Sequence, residues 1–132
     1  MSKVIRGREY RWQDVPVRDY KAEGEHAGRF HGVTRQTILG EGEGEADLNF
    51  ITRYFEVDPG GFSSLELHRH PHSVVVVRGR GHVFLGGESH DLAPLDVVYV
   101  SPETVHQFRA DAGEPLGFLC IVDRDRDKPR PA

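Results

Sequence analysis

The sequence predicts an all-β fold, an antiparallel β-sandwich or barrel. Three observations carry that expectation. Eight short runs are dominated by Val, Ile, Phe, Tyr and Thr, which suit pleated, half-buried surfaces. Fifteen glycines and eight prolines punctuate the chain, mostly between those runs. The period of an amphipathic helix is hard to find in any window.

The elements follow in order. Residues 1–31 carry no clear pattern and are expected to form an N-terminal arm or an edge strand. "GVTRQTIL" (32–39) is the first strand, and "GEGEGEAD" (40–47) after it is a polar loop. "NFITRYFEV" (49–57) and "SSLELH" (63–68) are strands separated by "DPGG" (58–61), which reads as a tight turn. "SVVVVR" (73–78) and "HVFLG" (82–86) come next, then the turn "LGGES" (85–89). "DVVYV" (96–100), "HQFRA" (106–110) and "LGFLCIVD" (116–123) complete the set. The tail "DRDRDKPRPA" alternates charge and ends in prolines, so residues 124–132 are expected to be mobile. No internal repeat and no boundary divides the chain, so residues 1–132 are read as one domain, a size that buries a real core.

Composition excludes several classes. The formal charge is −4, from 17 basic and 21 acidic residues, and no basic stripe stands out, which argues against nucleic acid as a partner. The longest apolar run, Val74 to Val77, is far too short to span a membrane. The N-terminus lacks the apolar core of a secretory signal, and the single cysteine, Cys120, allows no internal disulfide or thiolate zinc cluster. A cytoplasmic domain acting on a small molecule is the expectation. There is no nucleophile elbow, phosphate-binding loop or dinucleotide fingerprint to compete with it.

The chemistry concentrates in "LELHRHPHSVVVV" (65–77). Side chains alternate along a strand, so Glu66 and His68 share a face, their Cα atoms about 7 Å apart. A turn at "RHP" brings His72 onto the neighbouring strand beside them. His106, just after "DVVYVSPET", is the distant candidate that a barrel could deliver to the same spot. Three imidazoles and a carboxylate suit Fe, Mn, Co, Ni, Cu or Zn and leave an octahedral ion about two open positions. The four-donor count favours Fe or Mn over a closed structural zinc. His26, His31, His82 and His90 have no clustered partner and are read as structural or solvent-facing.

At these residues the sequence resembles the cupin superfamily of small β-barrels. That family's first motif, G-x5-H-x-H-x3or4-E-x6-G, aligns with Gly60, Glu66, His68, His72 and Gly79 at every spacing, although the first and third ligand types are exchanged. A second register, built on His68 and His70, would place its carboxylate at Val74 or Val75, so His70 is instead assigned to the turn, as a group that could orient a ligand. The second motif is matched at His106, with Leu95, Ser101, Glu103 and Ala110 in place of its Gly, Pro, Gly and Asn. Pro102 stands one residue from the expected proline. The resemblance covers about residues 49–123. It implies a double-stranded β-helix (jelly roll) with one divalent metal on Glu66, His68, His72 and His106, of the metal-dependent, dioxygenase-like kind.

Same-face alternation fills in the pocket. It adds Val74 and Val76 to His72, Phe108 to His106, Phe118 to Cys120, and Phe55 to Arg53. Such a pocket has a metal at one wall and a mostly apolar lining. Arg53 is a candidate for holding a carboxylate, and Cys120 reads as an inert buried thiol. The leading expectation is dioxygen-dependent oxidation of a small oxygenated compound at a three-His, one-Glu Fe or Mn centre. The alternatives are an oxygen-independent, metal-assisted isomerase or lyase, and a non-catalytic ligand-binding cupin. Strands apolar on both faces, as at Leu65 and Leu67 opposite Glu66 and His68, lead us to expect a homodimer.

Overall fold

A computed structural model describes residues 1–21 and 28–132, so His26 lies outside the described residues. No helix occurs among them, and the chain builds antiparallel strands throughout. These are β1 (Gly7–Arg8), β2 (Arg11–Trp12), β3 (Arg18–Asp19), β4 (His31–Leu39), β5 (Phe50–Phe62), β6 (Glu66–Leu67) and β7 (His72–Gly79). Then come β8 (Gly81–Leu85), β9 (Glu88–Leu92), β10 (Val97–Val100), β11 (His106–Ala110), β12 (Leu116–Asp123) and β13 (Arg130–Pro131). The main sheet runs β10-β7-β12-β5-β11-β6-β13 and curls on itself, with β4 on β5, β3 on β4, and the β8–β9 hairpin on β11. No helix among the described residues is long and apolar enough to cross a membrane.

β5 shows why the sheet closes around a core. Ile51, Phe55 and Val57 point inward and are buried, as alternation requires. β7 and β12 contribute Val74, Val76, Leu116, Phe118 and Val122 to the same layer. Each such side chain is worth roughly 1.5–3 kcal/mol when taken fully out of water. On the opposite face of β5, Tyr54 is also fully buried, because Tyr10 and Trp12 of the N-terminal arm lie over it at ring-centroid distances of 5.8 and 5.0 Å. The β1–β2 hairpin lies over the sheet, and β3 pairs with β4.

Three expectations are corrected. "DPGG" is not a turn between strands, since β5 continues through it to Phe62. Gly60, at φ 74°, bends the strand there, and its amide donates to Asp111 O at 3.0 Å. The strand expected over 63–68 shrinks to Glu66–Leu67; at Ser63 the side chain takes one ladder bond, Phe108 N donating to Ser63 Oγ at 2.9 Å, while Ser63 N still donates to Phe108 O at 2.9 Å. The tail expected to be mobile lies against the barrel. Arg130 and Pro131 pair with Leu67 and Glu66, and Asp127 accepts from the amides of Arg69 and His70 at 2.8 and 3.0 Å. Those turn amides need an acceptor, and the tail carboxylate supplies it.

Candidate metal centre

Four strands bring the imidazoles together. Cross-strand pairing sets His106 of β11 opposite Glu66 of β6, and His72 opens β7 opposite Val100. His68 follows β6 directly, with its carbonyl held by Glu103 N at 2.8 Å. As a result, nitrogen atoms of His68, His72 and His106 all lie within 4.8 Å of one another, and all three rings are buried.

The ring orientations follow from their partners. His68 Nδ1 lies 2.6 Å from the carbonyl of His70, and His106 Nδ1 lies 2.9 Å from that of Thr104. A carbonyl can only accept, so both Nδ1 atoms carry the proton and both Nε2 atoms present a lone pair. His68 Nε2 is buried with no hydrogen-bond partner among the described residues. An orphaned, buried imidazole lone pair beside two more imidazoles fits a divalent cation, which would satisfy it.

Burial also keeps these rings neutral. It pushes His68 down to about 4, helped by the repulsion its charge would meet from His70 and His106. Burial drives His72 well below its ordinary value, reinforced by the Arg53 guanidinium, and it lowers His106 as well. Metal binding requires neutral imidazole, so the site is poised for a cation at neutral pH without first losing protons.

Glu66 and His70 flank the cluster. Glu66 is buried and lines the same pocket, but its carboxylate accepts from Ser64 Oγ at 2.7 Å and Lys21 Nζ at 3.2 Å and is not one of the three clustered donors. His70 is not a loose turn residue. It is buried, stacks on His68 at 3.8 Å between ring centroids, and donates from Nδ1 to Asp127 Oδ1 at 2.9 Å. Its Nε2 lies 3.2 Å from His72 Nε2. A carboxylate behind an imidazole that touches a ligand is a standard way to fix ligand orientation.

The cluster opens into a pocket of about 1070 Å³. Phe118 stacks between Phe55 and Phe108, at 5.7 and 4.4 Å, and these three rings form an apolar wall. Cys120 continues that wall, its Sγ 3.4 Å from Arg53 Nη2. Burial raises the Cys120 thiol, and the Arg53 charge opposes the rise.

Comparison with known proteins agrees with this geometry. The cupin domain family matches residues 53–122. The chain belongs to that family. A relative from Rhodospirillum rubrum, 1-methylthio-D-xylulose 5-phosphate methylsulfurylase, is 48% identical to this cupin over 122 residues, covering 92% of this chain and 74% of the relative. A crystal structure of a cupin-2 domain from Rhodospirillum rubrum matches with 46% identity and a TM-score of 0.80, over 95% of this chain and 80% of that one. A cupin 2 conserved barrel domain protein from Rhodopseudomonas palustris matches with 40% identity and a TM-score of 0.85, over 98% and 86% of the two chains.

Within this cupin, the expected pocket residues Phe55, Phe108, Phe118 and Cys120 do line the cavity. Val74 and Val76 do not, and are corrected to core: both are fully buried in the packed layer behind the aromatic wall. His31, His82 and His90 stay outside the cluster, His90 lying 3.6 Å from exposed Glu88. Sequence reasoning missed Lys21, Arg35, Arg126 and Asp127 as pocket residues. One signal for the tail was present. Arg124, Arg126, Lys128 and Arg130 recur every second residue, a strand-like period.

Proposed function

We propose that this cupin is a metal-dependent enzyme that removes the methylthio group from a 1-methylthio-ketopentose phosphate, 1-methylthio-D-xylulose 5-phosphate being the substrate to test. The observation that carries this reading is the placement of the sole cysteine in the imidazole-lined pocket, on an apolar wall and against a guanidinium. The 48% identical methylsulfurylase supports it. His68, His72 and His106 would hold the metal, with Glu66 as the fourth donor once released from Lys21, and Fe or Mn suits that mixed set. Such a metal supplies Lewis acidity toward the substrate ketone.

The chain's own residues do the rest. Methylthio transfer from a carbon beside a ketone needs a nucleophile at sulfur and a sink for the electron pair. Cys120, as thiolate favoured by Arg53, attacks the methylthio sulfur. A Cys120–S–S–CH3 bond forms, the C1–S bond breaks, and its electron pair passes to C1 as the enolate of the 1-deoxyketose, which then takes a proton. A small-molecule thiol attacks the methyl disulfide, leaves as its own methyl disulfide, and restores Cys120. The phenyl rings of Phe55, Phe108 and Phe118 exclude water from the reacting sulfur atoms.

Dioxygen-dependent oxidation was the expectation from the donor set, the apolar wall and the cupin resemblance together. A thiol facing the same pocket and the relative's activity favour group transfer at sulfur instead. The need for a reduced Cys120 and a thiol co-substrate favours the cytoplasm. Two copies are proposed to pair through β10, where Val97 and Tyr99 are exposed.

The test is a single turnover of metal-loaded protein without added thiol. Intact-mass analysis is expected to show one methylthio group in place of a hydrogen on Cys120. Added thiol should then release it and sustain turnover, while Cys120→Ser forms no adduct and loses on the order of 10³-fold or more in rate. Wild-type turnover by Cys120→Ser, or an unconsumed substrate with the loaded wild type, would overturn the proposal.

A further inference from the structure

Most cations around the pocket are already satisfied. Arg124 donates to the carbonyls of Gly40, Glu45 and Ala46, Lys21 pairs with Glu66, and Arg130 pairs with Glu103. Arg35 and Arg53 differ. Each buries an Nε that has no hydrogen-bond partner among the described residues, and Arg53 as a whole is only 8% exposed. They come from adjacent strands, Arg35 opposite Phe55 and Thr37 opposite Arg53, and both line the pocket.

The tail adds a third guanidinium. Arg126 is half-buried in the same pocket wall. Its Nη1 is held at 3.1 and 3.3 Å from the carbonyls of Asp123 and Arg124, fixing the group to the segment that follows β12. Its position is set from both sides, by the three carbonyls on Arg124 and by Asp127 on the amides of Arg69 and His70. Burial, and then the like charge of Arg53, lower the Arg126 guanidinium; Glu41 and Cys120 oppose, and Arg35 adds a smaller lowering. Cations collected in a partly desolvated wall, two with orphaned donors, are costly unless an anion completes them.

We infer that Arg35, Arg53 and Arg126 form the subsite for the substrate's phosphate group, and that the C-terminal segment belongs to the binding site because it supplies Arg126. The identity of the sugar attached to that phosphate rests on the function proposed above; the subsite does not. Three forked donors converging on one anion match phosphate better than a single carboxylate, which has two oxygens to offer. Arg53 then serves both ends of the substrate, touching the sulfur of Cys120 at one and the phosphate at the other.

Calorimetric titration of the full-length, metal-loaded protein with inorganic phosphate tests this, with acetate as comparator. The wild type is expected to bind phosphate saturably and at least tenfold more tightly than acetate, an approximate threshold set by the added forked contacts. Arg126→Gln and Arg35→Gln should each weaken phosphate by about tenfold or more, with Arg126→Lys recovering part of the loss. Unfolding midpoints of the variants within a few degrees of the wild type, about what one lost surface contact allows, certify that the barrel is intact. Equal phosphate affinity in wild type and Arg126→Gln, or equal affinity for acetate, would overturn the subsite. Phosphate held through Arg126 by a protein that fails to form the methylthio adduct would sink the proposed reaction and leave the subsite standing. Turnover with unchanged KM in Arg126→Gln would do the reverse.

Discussion

At the scale of single residues, His68 shows how the chain prepares a ligand before any cation arrives. Its Nδ1 is committed to a carbonyl and its Nε2 is stranded without a partner among the described residues. That arrangement has a consequence for acid stability. Burial and the neighbouring imidazoles hold folded His68 down to about 4, while the unfolded chain protonates near the ordinary 6.5. Between those values the unfolded state binds more protons, so stability must fall as pH drops from about 6.5 toward 4. Above the unfolded value the contribution is complete. Urea unfolding of metal-free protein at pH 7.5 and pH 5, about one unit above and one and a half below that value, is expected to give a lower midpoint at pH 5. Equal midpoints would contradict the neutral cluster. His68 and His72 were legible beforehand because they flank one short turn, whereas Glu66 stays outside their cluster and His106 is brought in by the pairing of β11 with β6. The role of His70 was not legible, since it depends on Asp127, which nothing in the local pattern connects to it. Arg35 and Arg126 were illegible for the same reason: their meaning comes from meeting Arg53, not from their neighbours in sequence.

At the scale of elements, the turns explain which parts of the pattern carried over. β4, β7, β8, β10, β11 and β12 were legible as short runs, most of them rich in β-branched and aromatic side chains, set between turn-forming residues. β9 was missed because "ESHDL" buries only Leu92; it exists through its hairpin pairing with β8, not through burial of its own. The turn between β7 and β8 is the most demanding one. Gly79 sits at φ 72°, and a Cβ there would run into the carbonyl of Pro115 on the neighbouring connection. Backbone cannot yield as a flexible side chain would. Gly79→Ala is therefore expected to destabilise the protein by about 2 kcal/mol, combining left-handed strain with the clash. Thermal or denaturant unfolding measures it. A change no larger than a typical exposed substitution, within about 0.5 kcal/mol, would mean that the turn relaxes freely.

At the scale of the whole molecule, the curled sheet has an inner face that is closed and an outer face that is closed in part. The arm shields Tyr54 with Tyr10 and Trp12, and Tyr10 Oη reaches Val77 O at 3.4 Å. That cover stops short of β10, which ends the sheet and, among the described residues, pairs with β7 alone. Val97 and Tyr99 on this strand are 69% and 65% exposed, and Leu95 before it is 82% exposed. Beside them on β7 and β12, Val75 and Ile121 are only half-buried, so the apolar strip continues inward from the edge. An apolar edge strand of this kind invites a second strand of the same chain, and a two-fold axis would let each copy cover the other. Light scattering at micromolar concentration is expected to give twice the 14.9 kDa of one chain. Tyr99→Lys, a charge placed on the outer face of the edge strand and away from the pocket, is expected to yield monomer with an intact fold by circular dichroism. A wild type that scatters as a single chain, or a Tyr99→Lys variant that remains a dimer, would move the interface elsewhere and leave this strip to another partner.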